Sequence, residues 1–464
     1  MDASAKDVIV AGGGISGLTV AWHLKKAGIN VALLEANDQV GGCMRTEHRD
    51  GFLLEKGPFN VIVRDPAFEE LLGDLSDKLT VVTASREARA RFIYRKKRLM
   101  AVPTNPASLL FSPLLSLGAK CRMILGLLAS RRPSSPEWSI EDFAVRRLGR
   151  EVSDTMVSAV ISGIIAGDIR KLSLNACYPS IARFDGHARS PVAYGLSRAL
   201  QKMLPGNKGE KRRRRWRGLV SIDRGLGAIT EAIGKTLGDN LHTDCRVQSV
   251  EHGPDGFTLS CRNGDGNKHA FRCNRLVVAL PVAAAGQLLA PLVPEAADIM
   301  NGIESASLTV LNLAFRVRDV GHPMQGFGFL VPHNETEFPL MGVLWADSAF
   351  PHHGKQGHRL IRVFMGGIRT PDVISRSADE LVETTRRALR DLLGITGEPT
   401  LIDVCPYPAA IPQYHFGHRQ RIERLKTAVA AVPGLHLAGN YIEGVSVNDC
   451  VRVGKKVAET VIHG

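Results

Sequence analysis

Asp7-Val-Ile-Val-Ala-Gly12-Gly13-Gly14-Ile15-Ser16-Gly17-Leu18, followed by a helical run and then Val31-Ala-Leu-Leu-Glu35, is the stretch on which the reading of this chain turns. An apolar strand, Val8 to Ala11, runs into Gly12-x-Gly14-x-x-Gly17. A helix through Trp22 and Lys25 reaches Gly28, and a second strand closes on the carboxylate of Glu35, 18 residues after Gly17. Gly12 permits the tight turn, Gly14 lets backbone approach a pyrophosphate, and Gly17 lets helix pack closely on strand. Gly13, Ile15 and Ser16 complete the loop and the first helical turn, whose free N–H groups and partial positive charge suit phosphates. Glu35, followed by Ala36, can accept hydrogen bonds from a ribose diol. A glycine turn alone is a weak signal. Strand, helix, second strand and acid in register specify a dinucleotide site on an α/β unit of the Rossmann kind.

The next residues say which dinucleotide. After Glu35 come Gly41, Gly42, Cys43, Met44 and Arg45, then Gly51-Phe-Leu-Leu-Glu55-Lys-Gly57-Pro58. A nicotinamide enzyme has no evident need for a second glycine pair and a following arginine. A permanently held FAD does: the glycines pass under the phosphates while Arg45 neutralises them. The cofactor contacts expected here are Gly42, Cys43, Arg45, Gly57, Pro58, Phe59 and Asn60. The end of the chain returns to the same ligand. Leu435-His-Leu-Ala-Gly439-Asn440 is a strand and turn, and Val445-Ser446-Val447 opens a last helix. Its N-terminus would stabilise charge on the pyrimidine side of a reduced flavin. The rival is a plain capped terminal helix.

The chain has 464 residues, net charge +13, 44% hydrophobic and 23% charged residues, which suits two or three globular domains. Eight cysteines are scattered without ligand spacing, so we expect reduced thiols, no metal, and mostly buried filler. The charge concentrates at Lys208, Lys211, Arg212 to Arg215 and Arg217. Solvation, an anionic lipid surface and nucleic acid each explain such a run. Nucleic acid is excluded as a partner because no nucleic-acid fold signature accompanies it. The strand beginning near Asp7 leaves no room for a signal or transit peptide, and no apolar run approaches a membrane span. The expected protein is neither secreted by its own sequence nor membrane-spanning.

Along the chain, Pro66 to Leu75 reads as a short amphipathic helix and Arg91-Phe-Ile-Tyr94 as a strand in a hairpin with a basic turn. Residues 105–130 read as two apolar helices broken by Pro113 and by Lys120 and Arg122. Buried core and an interfacial membrane surface are both open for them. Ser139 with Asp142 and Ser377 with Glu380 are capping boxes. Segments at 308–315, 327–331, 342–345 and 360–364 form the floor of a second, strand-rich domain.

Taken together, these runs resemble the flavin-dependent amine oxidase superfamily, and within it the protoporphyrinogen oxidase family, over nearly the whole length. The carrying stretches are Gly12 to Gly17, Arg91-Phe-Ile-Tyr94 with Val102-Pro-Thr104, and Gly163-Ile-Ile-Ala-Gly-Asp168 with Lys171-Leu-Ser173. To these add Gln325 to Pro332, Ala349-Phe-Pro351, Ile411-Pro-Gln-Tyr414 with Gly417-His418, and Gly444 to Cys450. The resemblance implies an α/β fold with a discontinuous Rossmann-like FAD domain of the para-hydroxybenzoate-hydroxylase type (1–75, 220–300, 405–464). It also implies an α+β substrate domain (76–104, 301–404) and a helical membrane-associated domain (105–219). By the same resemblance Arg91 pairs with a propionate, Phe327, Leu330 and Phe364 enclose a pyrrole ring, Gly163 lies against the macrocycle and Val247 contacts the adenine. The implied reaction passes hydride equivalents from the porphyrinogen to flavin N5, with O2 as acceptor giving H2O2 and no catalytic side chain. The implied partners are a membrane surface, ferrochelatase and a second copy of the chain, in the cytoplasm on the inner face of the cell membrane. A coproporphyrinogen III oxidase of the same fold, another flavin amine oxidase and a flavin carrier without turnover are the alternatives. Gly57-Pro58 is followed by Phe59-Asn60 where the family often has Arg-Gly, so local flavin contacts are expected to differ there.

Overall fold

The computed structural model of the chain describes residues 6–128, 137–187, 215–216 and 218–464. It separates into two compact units, one of Met1–Ala84, Trp216–Ser305 and Arg419–Gly464, the other of Ser85–Arg215 and Ala306–His418. The described part of the expected helical domain belongs to the second unit. The strand Leu401–Pro412 is an edge of that unit's sheet, so the chain returns to the first unit at Arg419, not at 405.

In the first unit Lys6–Ala11 pairs in parallel with Val31–Leu34 on one side and Lys268–Val278 on the other. Leu435–Leu437 adds a further parallel strand, and Gly256–Asn263 and Cys245–Gly253 extend the sheet antiparallel. Parallel strands covered on both faces read as unbroken apolar runs. Accordingly Val8, Ile9, Val10 and Ala11 are all fully buried. Val8 and Val10 enter one core with Leu18, Val20 and Val451, while Ile9 and Ala11 enter another with Phe257, Leu259 and Leu289. The helix Ile15–Lys26 packs on the terminal helix Val447–His463, where a side chain at Gly454 would meet the Ser16 carbonyl at 2.8 Å.

The second unit holds a seven-stranded sheet ordered Leu401–Pro412, Ser305–Arg316, His358–Gly366, Leu340–Trp345, Gly328–Leu330, Phe92–Arg95, Arg98–Ala101. Leu311, Leu313, Val343, Ile361 and Val363 face the helix Ala378–Leu393 through Leu381, Ala388 and Leu389. That helix starts at the expected Ser377–Glu380 capping box and stops at Gly394, φ 60°. The other face carries Leu308, Val310, Met341 and Phe364 beside Ala166, and Ile93 beside Leu114, Leu115 and Val152.

The apolar stretch corrects two expectations. Its helices are Pro106–Phe111 and Leu117–Leu128, so Lys120 and Arg122 lie inside the second helix and do not break it. Lys120 is 6% exposed and gives its ammonium to the Leu110 and Ser112 carbonyls, 2.8 Å each. Arg122 reaches the Arg146 carbonyl at 3.0 Å. Both satisfy the orphan carbonyls that end neighbouring helices, where a cation is also favoured. Leu114 and Leu115 are buried at 0% and 3% in the linker between the helices. The exposed apolar side chains are instead Leu110, Phe111, Leu117, Ile124 and Leu125.

Of the cysteines, Cys245, Cys261, Cys273 and Cys450 are buried as expected, but Cys43 and Cys121 are exposed. No helix among the described residues is long and apolar enough to cross a membrane. The basic run 207–217 lies outside the described residues except Arg215 and Trp216.

Candidate active site

The glycine turn forms as its spacing requires. Gly12 takes φ 110°, and a Cβ there would lie 2.6 Å from the Ala279 carbonyl oxygen. At Gly17 a Cβ would lie 2.0 Å from the Gly12 carbonyl oxygen, so this contact is closed to any other residue. Gly14 is different: a Cβ would meet nothing within 4 Å. Gly14 caps the helix Ile15–Lys26 without a side-chain hydrogen bond, and its first turn holds no acid. No side chain caps the N–H groups of that turn, where the positive end of the helix dipole lies.

Gly41 and Gly42 come to the same spot. Gly41 bridges to Gly14 and its N–H donates to the Gly13 carbonyl at 2.8 Å, while Gly42, φ 60°, stands against the Gly14 Cα. A few residues on, Arg45 has a buried Nε with no hydrogen-bond partner among the described residues. A guanidinium N–H left bare is costly unless a ligand completes it. Glu35 is 6% exposed and ordered on both oxygens. Oε2 accepts from Gly13 N–H at 2.7 Å, and Oε1 from the backbone and side chain of Asn37 at 2.9 and 2.5 Å. Cys245 donates its N–H to the Glu35 carbonyl at 2.8 Å, which sets Val247 two residues along the strand from the acid. Ala36, which follows the acid, is half-buried.

Gly57 sits under the Cys43 backbone, where a Cβ would lie 2.3 Å from its carbonyl oxygen, so these two segments are locked together. Phe59 is buried and Pro58 and Asn60 are half-buried beside it. Ser446 caps the terminal helix in a box with Asp449, and Asn440, Val445 and Val447 flank that turn, all half-buried. Cys450, one turn in, has its thiol pushed up to about 12 by burial, which rules it out as a nucleophile at neutral pH. Every cofactor residue expected from sequence thus lies in the first unit. An uncapped helix start, a bare arginine N–H and an ordered carboxylate fit a diphosphate joined to a ribose.

The second unit assembles the other set. Leu330 pairs with Gly342, which pairs with Phe364 on the next strand. Paired residues share a face, so Leu330 and Phe364 stand on either side of a residue with no side chain. Leu330 leans over Gly342, where a Cβ would lie 2.8 Å from its methyl, so Leu330 and Phe364, both half-buried, form an apolar strip on that face. Gly163, exposed on the helix Ser158–Ile165, closes on it; a Cβ there would lie 2.6 Å from a Leu330 methyl. Arg91, exposed, has its guanidinium carbon 5.6 Å from the centroid of the Phe327 ring. The helix carrying Gly163 contains a π turn at Ser153–Val157, a distortion frequent at functional sites. His418 stacks on Tyr414 with centroids 4.0 Å apart and is 2% exposed, in keeping with a packing role.

Sequence reasoning missed three residues that organise these sites. Gly342 was readable as a glycine inside an apolar strand, which marks close approach. Asn37 and Asn448 gave no signal. Asn448 accepts from the Arg64 and Asp65 N–H groups at 3.1 and 3.2 Å and ties the terminal helix to that loop.

The sequence profile described as flavin containing amine oxidoreductase matches residues 15–462. The chain belongs to that family. As a flavin amine oxidoreductase it is an FAD-dependent oxidoreductase. It is 30% identical to the chloroplastic protoporphyrinogen oxidase of Nicotiana tabacum over 99% of this chain and 86% of the relative. It is 28% identical to the coproporphyrinogen III oxidase of Bacillus subtilis over 98% of this chain and 97% of the relative. A crystal structure from Exiguobacterium sp. 255-15, of a protein provisionally assigned as a protoporphyrinogen oxidase, superposes with TM-score 0.80 at 24% identity, covering 99% of both chains. That likeness establishes the fold.

Proposed function

We propose that this protein oxidises protoporphyrinogen IX to protoporphyrin IX, a step of haem synthesis, with FAD as electron acceptor and O2 regenerating it to give H2O2. The observation that carries this reading is the near full-length likeness to protoporphyrinogen oxidases, joined to an apolar strip on one sheet face that suits a flat, greasy ring. FAD, when bound, supplies the redox chemistry. The chain's own residues bind, orient and exclude water. Glu35 would hold the ribose and adopt the same hydrogen bonds it already makes. Arg45 and the first turn of the Ile15–Lys26 helix would hold the diphosphate. Leu330, Phe364 and Phe327 would grip the macrocycle by contact, with Gly163 alongside Leu330. Arg91 would take a propionate bidentately. An aerobic assay following porphyrin fluorescence tests the reading: yellow protein that yields neither protoporphyrin nor coproporphyrin would sink it.

Coproporphyrinogen III is the second reading, favoured by the Bacillus subtilis relative, which this chain matches across nearly that protein's full length. Presenting the two porphyrinogens side by side decides between them.

Leu110, Phe111, Leu117 and Leu125 are the side chains that would enter a membrane interface on the inner face of the cell membrane, giving a poorly soluble substrate a short path. Association with ferrochelatase or a second copy belongs to the same reading. Charging Phe111 and Leu117 to Asp would abolish co-sedimentation with anionic liposomes and leave turnover in detergent intact. Unchanged sedimentation would remove the membrane assignment. Leu114 and Leu115 are unsuitable for that test, since cutting either buried side chain to Ala costs about 2–5 kcal/mol of fold.

A further inference from the structure

The apolar strip on the second unit's sheet has a cation at one end, Arg91. In register Arg91 precedes Phe92, the partner of Phe329, and so stands level with Gly328, two residues before Leu330. The opposite end is bounded by the segments C-terminal to Leu330 and Phe364. After Leu330 the chain turns at Pro332 into His333, whose N–H donates to Ser158 Oγ on the helix of Gly163 at 3.3 Å. After Phe364 the strand ends at Gly366 and Gly367, both in left-handed conformations, and runs against the C-terminus of the same helix. There Ile368 donates its N–H to the Ala166 carbonyl at 2.9 Å. Arg369 comes next and sends one Nη to the His333 carbonyl at 3.0 Å.

Arg369 is half-buried and makes no ion pair among the described residues. Asp168, the acid that acts on it, is already engaged by Arg170 through bonds of 2.8 to 3.1 Å. Burial pushes the Arg369 guanidinium below its ordinary value, and Asp168 offsets this only in part. Beside it, His333 Nδ1 is buried without a partner among the described residues. A desolvated cation with one hydrogen bond and a bare polar neighbour leaves an unmet need for an anion. The five steps from Gly328 to His333 span at most about 17 Å at about 3.3 Å per residue, a distance on the scale of the macrocycle's own width.

The geometry points to Arg369 as a second carboxylate anchor, at the end of the apolar strip opposite Arg91. This rests on the reading of the protein as a flavin-dependent porphyrinogen oxidase and deepens it. Two cations at opposite ends select a ring that carries carboxylates on opposite edges. Coproporphyrinogen III has four propionates, so edges facing both arginines carry them. Protoporphyrinogen IX has two propionates on neighbouring rings and turns its vinyl edge toward Arg369. The second anchor therefore adds affinity for the four-propionate substrate in particular.

The test is steady-state kinetics of full-length, flavin-loaded wild type, Arg369→Gln and Arg369→Lys on both porphyrinogens. Gln retains a donor for the His333 carbonyl, so the loop's tether survives while the charge is lost. For R369Q the KM for coproporphyrinogen III rises about 10- to 100-fold, the scale of a lost charged hydrogen bond, with kcat little changed. The KM for protoporphyrinogen IX stays within about threefold, and R369K restores part of the loss. Flavin absorbance and the protoporphyrinogen rate report that the variant is folded. Equal KM changes for both substrates, or none for either, overturn the anchor while wild-type turnover leaves the functional reading standing. Wild-type protein that oxidises neither porphyrinogen overturns the functional reading, and the anchor with it.

Discussion

Two helices of the first unit begin within the same cofactor constellation, and they begin in opposite ways. The helix Ile15–Lys26 starts at Gly14 with no side-chain cap and no acid in its first turn. The helix Val447–His463 starts at Ser446, whose hydroxyl accepts from the Asp449 N–H while the Asp449 carboxylate returns to the Ser446 N–H. Asp449 is further neutralised by Arg452 at 3.2 Å and Arg64 at 3.4 Å. Burial pushes the Glu443 carboxyl up, but Arg452, Lys456 and Lys426 outweigh it and hold it below the usual range. The terminal helix thus meets its own needs within the polypeptide. The opening helix has no such side-chain cap, and a helix start of that kind is a ready site for an anionic ligand. From sequence both N-termini carried the same dipole argument; only the caps separate them.

The sharpest break in that comparison is steric. At Gly17 the neighbour is the fold itself, so Gly17→Ala destabilises the apoprotein by about 3 kcal/mol or more, since a forced backbone contact exceeds ordinary overpacking. At Gly14 the neighbour is absent from the polypeptide and Gly14 has φ −70°, which any residue adopts. Gly14→Val therefore leaves the thermal unfolding of the apoprotein within about 0.5 kcal/mol of wild type, as at an unconstrained site. It nevertheless empties the protein of flavin. Fully yellow G14V protein would mean that the diphosphate does not pass over Gly14. Next in size, Arg45→Gln weakens FAD binding about 10- to 100-fold, read by titration of apoprotein, because it removes a charged donor whose Nε has no partner among the described residues. Unchanged affinity would show that the bare Nε serves something other than the phosphates.

This contrast also explains what was legible beforehand. The Gly12–Gly17 turn and Glu35 could be read because each glycine answers to a local steric fact, and local facts are written locally. The capping boxes at Ser139 and Ser377 were visible for the same reason. The apolar strip was half legible. Leu330 and Phe364 were named by resemblance, but the residue that lets Leu330 lean in, Gly342, belongs to a strand between theirs and needs the register to be known. Lys120 and Arg122 misled for a related cause. A cation within an apolar run reads as an interruption until the carbonyls it caps, Leu110, Ser112 and Arg146, are brought close by tertiary folding. The pairing of Arg369 with the His333 carbonyl joins two loops 36 residues apart and is invisible to any local pattern.

The smallest effect is the most informative about the terminal helix. Ser446→Ala removes an N-cap whose partner is Asp449, and should lower thermal stability by about 1 kcal/mol, the usual worth of such a cap. Flavin affinity should move far less than in R45Q, because the first turn keeps Asp449 and Asn448 still fixes the helix start to the Arg64 and Asp65 N–H groups. The two helix starts would then divide the labour: one holds the ligand, the other holds the loop that lies against it. If S446A instead sheds flavin as readily as R45Q while the apoprotein melts unchanged, the Ser446 hydroxyl faces the cofactor in the bound state. The cap seen here would then be the resting arrangement that binding exchanges for a ligand contact.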